Sequence, residues 1–179
     1  FGKAATNVGL EGGFTPPVLG TEHVLDLIME AVKKTGVKKG KIILDMAAST
    51  FFKNGQYYFE GENFDQQGLS KFYTELCQKY PIIGIEDPFA EDDWHGFQGI
   101  TQSLGQNINI IGDDLLVTNI SRIEEAQKNG LEANEKVEKF ESIGGHGVRA
   151  VVNGKSVIAG TERLMQQNNI DLSPIRNGI

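Results

Sequence analysis

The run Ile82-Ile83-Gly84-Ile85-Glu86-Asp87-Pro88-Phe89 says more about the architecture than any other segment of this chain. A short, continuously apolar run is what a strand covered on both faces of a parallel sheet requires. Two other runs have the same form and also end on an acid: Ile42-Ile43-Leu44-Asp45 and Ile110-Ile111-Gly112-Asp113-Asp114. Between them lie segments of helical period. Leu69, Phe72, Tyr73 and Leu76 mark a helix over 66–79, and a shorter one is expected near 93–104. A helix over 22–34, capped by Thr21 and stopped by Gly36, precedes the first strand. Another near 119–129, capped by Thr118 or Asn119, ends at Gly130. Strand and helix thus alternate about three times, the pattern of an α/β fold with a parallel sheet and crossover helices. Three such units cannot close an eight-stranded barrel. A partial barrel is predicted, with open sheet edges that favour self-association.

The acids give this scaffold a direction. Asp45, Glu86 and Asp113 each stand where a strand hands over to a loop, and Glu11 lies in the loop Asn7-Val8-Gly9-Leu10-Glu11-Gly12-Gly13. Active sites of parallel α/β folds sit at the C-terminal ends of the strands. Carboxylates gathered there suit a hard cation such as Mg²⁺, which takes a few protein carboxylates together with water and substrate oxygens. Other acids have plainer readings. Asp87 and Asp114 read as capping or loop acids, and Glu91, Asp92 and Asp93 as first-turn acids matching a helix dipole.

Composition excludes several function classes. A net charge of −7 over 179 residues argues against a nucleic-acid or anionic-membrane surface. Lys33-Lys34 and Lys38-Lys39 read as solvated charge. No apolar run approaches the roughly 20 residues of a membrane helix. Cys77 is the sole cysteine, which excludes an internal disulfide and fits a reducing, cytoplasmic compartment. Its place on a helix's apolar side makes it a core thiol. A start at Phe1 without a signal-peptide pattern suggests a fragment or a processed chain.

The texture changes after Gly130, and a boundary is placed there, giving segments 1–130 and 131–179. Residues 131–142 are charged and irregular, with Val137, Phe140 and Ile143 as anchors. Gly144-Gly145-His146-Gly147 follows, then Val148–Val152, the turn Asn153-Gly154, and Ser156–Ala159. Asn-Gly between two β-rich runs is a strong hairpin signal. Thr161 caps a last helix holding Leu164 and Met165, and a polar tail is expected from about 168. His146 reads as a solvated loop histidine, and His23 and His95 as helix residues with no constellation around them.

Residues 1–125 resemble the barrel domain of enolase, the phosphopyruvate hydratase family. The resemblance rests on Ala5-Thr6-Asn7-Val8-Gly9 with Glu11-Gly12-Gly13-Phe14, Leu44-Asp45 with Ala47-Ala48-Ser49, and Tyr80-Pro81-Ile82. It continues through Ile85-Glu86-Asp87-Pro88-Phe89, Glu91-Asp92-Asp93-Trp94, Gly112-Asp113-Asp114-Leu115 and Val117-Thr118-Asn119. It implies that Asp45, Glu86 and Asp113 bind Mg²⁺, that Glu11 helps a hydroxyl leave, and that the substrate is the phosphorylated 2-phosphoglycerate. The family's base, a lysine in a Lys-Val-Asn-Gln-Ile-Gly type motif, is absent from these residues, as is its Ser-His-Arg-Ser motif for phosphate. Leu10, Pro17 and Thr50 depart from the family's usual Asp, Asn and Glu. Little or no hydratase activity is therefore expected from this chain alone.

Residues 131–170 are similar to the nucleotide-binding domain of heavy-metal P-type ATPases. That similarity rests on Val137–Ile143, Gly145-His146-Gly147-Val148-Arg149-Ala150, Val152-Asn153-Gly154-Lys155, Val157-Ile158-Ala159-Gly160 and Arg163-Leu164-Met165. It implies ATP contact at Gly145 and Gly147, weak because that family's His-Pro motif is missing; the Asp-Lys-Thr-Gly motif and membrane helices are missing as well. Three readings stay open: an enolase-like Mg²⁺-binding fragment, a recombined α/β chimera with no ligand joined near 120–132, and a nucleotide-binding module.

Overall fold

The computed structural model describes residues 2–9, 12–131 and 137–173, with Val137 described by its backbone alone. The chain separates into two compact units, Phe1–Leu131 and Glu132–Ile179.

In the first unit, strands β1 (Ile42–Asp45), β5 (Ile82–Glu86) and β6 (Asn109–Ile111) form a parallel sheet in the order β1-β5-β6. Helices α1 (Thr21–Thr35), α2 (Gln66–Lys79), α3 (Trp94–Leu104) and α4 (Ile120–Lys128) alternate with these strands. This is the α/β arrangement predicted from the apolar runs. Asp65, Asp93 and Asn119 cap α2, α3 and α4 by accepting from the amides of Gly68, Gly96 and Ser121, and Gly36 closes α1 in the left-handed region. The core runs from Leu25 through Leu69, Tyr73, Leu76 and Ile85 to Phe89, Phe97 and Ile100, each no more than 1% exposed. Cys77 is half-buried beside this core, and burial pushes its thiol up, as suits an unreactive packing residue.

Three expectations are corrected here. Thr21 does not cap α1. It is the first helical residue, and its N–H and Oγ1 both donate to Glu60 Oε1, a cap supplied from 39 positions away. Across residues 51–65 the sequence predicts a turn at Lys53-Asn54-Gly55 and one strand at Tyr57, Tyr58 and Phe59; the structure has three, β2 (Phe52–Lys53), β3 (Gln56–Phe59) and β4 (Glu62–Phe64), in an antiparallel meander. Its turns are Asn54-Gly55 and Glu60-Gly61, all four residues at positive φ, as primed hairpin turns require. The parallel strands are also not covered on both faces. Ile43, which shares a face with Asp45, is 52% exposed. Among the described residues β1 and β6 are the sheet's edges, and three strands cannot wrap around to enclose that face.

The second unit is an antiparallel meander of β7 (Val137–Ile143), β8 (Gly147–Val152) and β9 (Lys155–Gly160), followed by α5 (Glu162–Gln167) capped by Thr161 Oγ1. The Asn153-Gly154 turn joins β8 to β9 with both residues at positive φ. The segment 137–142, expected to be irregular, is a strand, because pairing with β8 satisfies its backbone whatever its side chains favour. A bulge lies between Glu138 and Glu141, with Lys139 at φ 52. Phe140, expected as an anchor, is 66% exposed beside that bulge.

Gly147 and Gly160 face each other across β8 and β9. A Cβ on Gly147 would stand 2.2 Å from the Ala159 carbonyl oxygen, and one on Gly160 would stand 2.2 Å from that of His146. Gly147→Ala is therefore expected to destabilise this unit by more than the about 1–3 kcal/mol of a strained dihedral alone. Gly145→Ala should cost less, because a Cβ there meets open space. Hydrogen exchange of the β8 and β9 amides checks this: equal protection in the two variants would contradict the contact.

Candidate metal centre

The parallel register lines up the acids. Asp45 is the last residue of β1, Glu86 the last of β5, and the two are paired partners; Glu86 in turn pairs with Ile111, two positions before Asp113. Three strands thus deliver three carboxylates to one end of one sheet. The loops beyond them are stitched together. Met46 N–H donates to the Glu86 carbonyl at 2.9 Å, Ala48 N–H to that of Asp87 at 3.1 Å, and Asp87 N–H to that of Ile111 at 2.9 Å.

Strain concentrates at the same end. Ala47, Asp87, Val117 and Thr118, all shortly after strand ends, hold φ between 40 and 54. For β-branched Val117 and Thr118 this is a genuine outlier. Such conformations cost about 1–3 kcal/mol each and gather at functional sites, where the surroundings enforce them.

The electrostatics are one-sided. Burial raises the Glu86 carboxyl above its ordinary value, and the charges of Asp45, Asp87, Asp113 and Asp114 raise it further. Each charge acting on Glu86 is an acid, so a cation placed there would relieve all of them together. Asp45, Glu86 and Asp87 can bring one oxygen each within 4.8 Å of one another. Asp113 stands outside that trio, near enough to raise Glu86. Asp45 Oδ1 also accepts from Ala47 N–H at 3.1 Å. The donor set is all carboxylate oxygen, the chemistry a hard divalent cation takes.

Two residues of this region carry more than the sequence suggested. Arg122, on α4, donates from Nε to the Leu115 carbonyl, from Nη2 to the Glu91 carbonyl, and from Nη1 to Asp92 Oδ1 at 3.0 Å. Its guanidinium also lies 5.1 Å from the centre of the Trp94 ring. It ties the loop after β5 to the loop after β6, a job no local spacing announces. Asp93, expected as a first-turn acid, caps α3 and also accepts from the Tyr57 hydroxyl at 2.5 Å and from Gln66 Nε2. Beside it lies a cleft of about 760 Å³ lined in part by Ser49, Phe52, Tyr57, Asp65 and Gln66, with none of the three strand-end acids in its wall.

Glu11 lies outside the described residues. The loop around it is closed by Gly9 N–H donating to the Gly13 carbonyl at 2.9 Å and by Thr15 N–H donating to that of Asn7 at 2.7 Å. In the second unit, Gly145 and Gly147 both take positive φ, and the close Gly147–Gly160 approach explains one of them within the sheet itself. His146 donates from its backbone to the Ile143 carbonyl and sets Nδ1 2.9 Å from the Gly144 carbonyl oxygen. Among the described residues no helix is long and apolar enough to cross a membrane.

Known sequences resemble this chain along most of its length. The sequence model of the enolase C-terminal TIM barrel domain matches residues 1–160. The enolase of Elusimicrobium minutum (strain Pei191) is 47% identical over 139 residues, covering 78% of this chain and 33% of that protein. The enolase of Methanocaldococcus jannaschii is 45% identical over 148 residues, covering 80% and 34%. The chain thus spans about a third of the length of the curated relatives it matches. The domain match runs well beyond residue 131, and none of these matches shows an ATPase-type segment or a recombined chain.

Proposed function

The chain belongs to the enolase family, and from that membership we propose that its first unit holds the Mg²⁺ of an enolase-type site through Asp45, Glu86 and Asp113. The observation that carries this reading is the paired register of Asp45 and Glu86 at the strand ends, with Glu86 under the charge of every acid around it. The reaction is the family's dehydration of 2-phosphoglycerate to phosphoenolpyruvate. Removing a proton beside a carboxylate builds a second negative charge there. Bound Mg²⁺ supplies the positive charge that stabilises it. Asp45, Glu86 and Asp113 would hold that Mg²⁺ at the strand ends, and Glu11 would give a proton to the departing hydroxyl.

These residues carry the metal-holding side of that chemistry and no lysine motif for the proton abstraction. The 179-residue chain by itself is therefore expected to bind Mg²⁺ and to form no phosphoenolpyruvate. Thermal unfolding across a Mg²⁺ titration tests the first part. A saturable rise in the midpoint is expected, moved to higher Mg²⁺ concentration in Asp113→Asn. A midpoint that Mg²⁺ moves no further than NaCl of equal ionic strength would leave the strand-end acids as scaffold. The absorbance of phosphoenolpyruvate, followed with 2-phosphoglycerate at high protein concentration, tests the second. No comparable observation favours ATP at Gly145 and Gly147.

A further inference from the structure

Asp87 is built into the fold differently from the acids beside it. It is buried, at 3% exposure, and holds φ 40, a left-handed conformation uncommon outside glycine that Asp adopts more readily than most residues. Its Oδ2 accepts from Asp114 N–H at 2.9 Å and its Oδ1 from Leu115 N–H at 3.4 Å. Its own N–H and carbonyl bond to Ile111 and Ala48, so the residue is fastened to the loops after both neighbouring strands. A buried carboxylate is costly unless its oxygens are bonded, and here backbone amides do the bonding.

The amides it holds belong to one tight turn. Asp113 sits between Gly112 and Asp114, and a Cβ on Gly112 would come 2.9 Å from Leu115, so the turn folds closely back on itself. Val117 N–H and Leu116 N–H both donate to the Asp113 carbonyl. Arg122 holds the Leu115 carbonyl from the other side. Fixing the amides of residues 114 and 115 fixes the backbone from which the Asp113 side chain springs.

We propose that Asp87 is a positioning residue, which sets the Asp113 carboxylate against Asp45 and Glu86 by gripping the Asp113-Asp114-Leu115 turn, and is not itself a metal ligand. This rests on the Mg²⁺ reading of the site. Asp87 belongs to the trio of close acids while Asp113 does not, so the opposite assignment has a geometric basis and the experiment must separate the two. The sharing of both oxygens with amides decides for the positioning role: a ligating Asp87 would have to share or give up the bonds that hold the turn.

A double-mutant cycle on the 179-residue chain, read by calorimetric Mg²⁺ titration, tests the proposal. Asp87→Asn is isosteric, keeps one acceptor and loses the other. It is expected to weaken Mg²⁺ binding by about 10–100-fold, as loss of an outer support does, and to cause no further loss in an Asp113→Asn background. An equal loss in both backgrounds would make Asp87 an independent ligand and overturn the proposal. Unchanged affinity with a lowered unfolding midpoint would overturn it too, leaving a structural acid only. Arg122→Lys loosens the Leu115 carbonyl and the exposed Asp92 carboxylate without touching Asp45, Glu86, Asp87 or Asp113, and should show the same non-additivity with Asp113→Asn. It decides the matter if Asp87→Asn does not fold, and undiminished affinity there would overturn the claim that the turn's placement matters. Wild-type protein that binds no Mg²⁺ would remove the metal reading itself, a result distinct from each of these.

Discussion

Phe89→Ala is expected to lower the unfolding free energy of the first unit by about 3–5 kcal/mol, the range for truncating a buried aromatic ring. Phe89 is fully buried and meets three rings: Tyr57 at 5.6 Å, and Tyr73 and Phe97 at 6.2 Å, each pair edge-to-face. The neighbours cannot close over the void. The Tyr73 hydroxyl is tethered to the Pro88 carbonyl at 2.8 Å, and the Tyr57 hydroxyl donates to Asp93 while accepting from Ala90 N–H at 3.1 Å. On α3, Gly96 has no side chain to move inward; a Cβ there would lie 2.5 Å from the Phe89 ring. A site that cannot collapse keeps its cavity, and the cost goes to the upper part of the range. Set against a total stability of about 5–15 kcal/mol for a typical domain, the loss is a third or more of what holds the unit folded. Urea denaturation at constant m-value checks this. Phe14→Ala, at a residue 72% exposed, should change stability by no more than about 0.5 kcal/mol. A loss at Phe89 as small as that at Phe14 would mean the aromatic cluster is not what holds the loop after β5.

The features legible in the sequence are those that local chemistry enforces. Apolar runs ending on Asp45, Glu86 and Asp113 predict strands and their direction, and Asn54-Gly55 and Asn153-Gly154 predict turns, because each signal lies within a few residues of its effect. The missed features come from partners far away in sequence. Glu60 caps α1 across 39 positions, Asp87 reaches Asp114 across 27, and Arg122 reaches Glu91 across 31. No periodicity encodes such pairings. β7 was missed for a related reason: its strand state comes from β8's backbone, while its own residues read as charged and irregular. The exposed Ile43 shows the limit of the buried-strand rule, since an apolar run tells which faces a complete sheet would cover, not which strands are present to do so. The site is legible at the level of which acids stand at strand ends. Which of the neighbouring acids grips and which coordinates depends on where amide groups point, and only the folded backbone settles where they point.

Glu86→Gln should make the protein more stable without Mg²⁺ and less stable with it, a crossing that neither packing nor general charge effects produce. The Glu86 carboxyl is raised above its ordinary 4.5, first by burial and then by its acidic neighbours. The unfolded chain ionises near that ordinary value, so between it and the raised folded value the native state holds more protons. Stability therefore falls as pH rises through this window, and the deficit persists above it. Glutamine cannot ionise, so the variant escapes the deficit: the two proteins should differ little below the window and diverge above it, the variant unfolding at the higher temperature. Mg²⁺ reverses the order. At about 100 times its Kd it stabilises the wild type by about 2.7 kcal/mol. Loss of an outer support already weakens metal binding by about 10–100-fold, and Glu86 is proposed as a direct ligand at the centre of the sheet, so a loss of at least about 100-fold is expected. The same Mg²⁺ concentration then lies near the variant's Kd or below it and contributes at most about 0.4 kcal/mol. Unfolding midpoints measured from pH 4 to 8, with and without Mg²⁺, give both signs in one experiment. A variant that responds to Mg²⁺ as the wild type does would exclude Glu86 from the metal site. A variant less stable than the wild type in metal-free buffer at neutral pH would mean that the crowded acids do not oppose the fold.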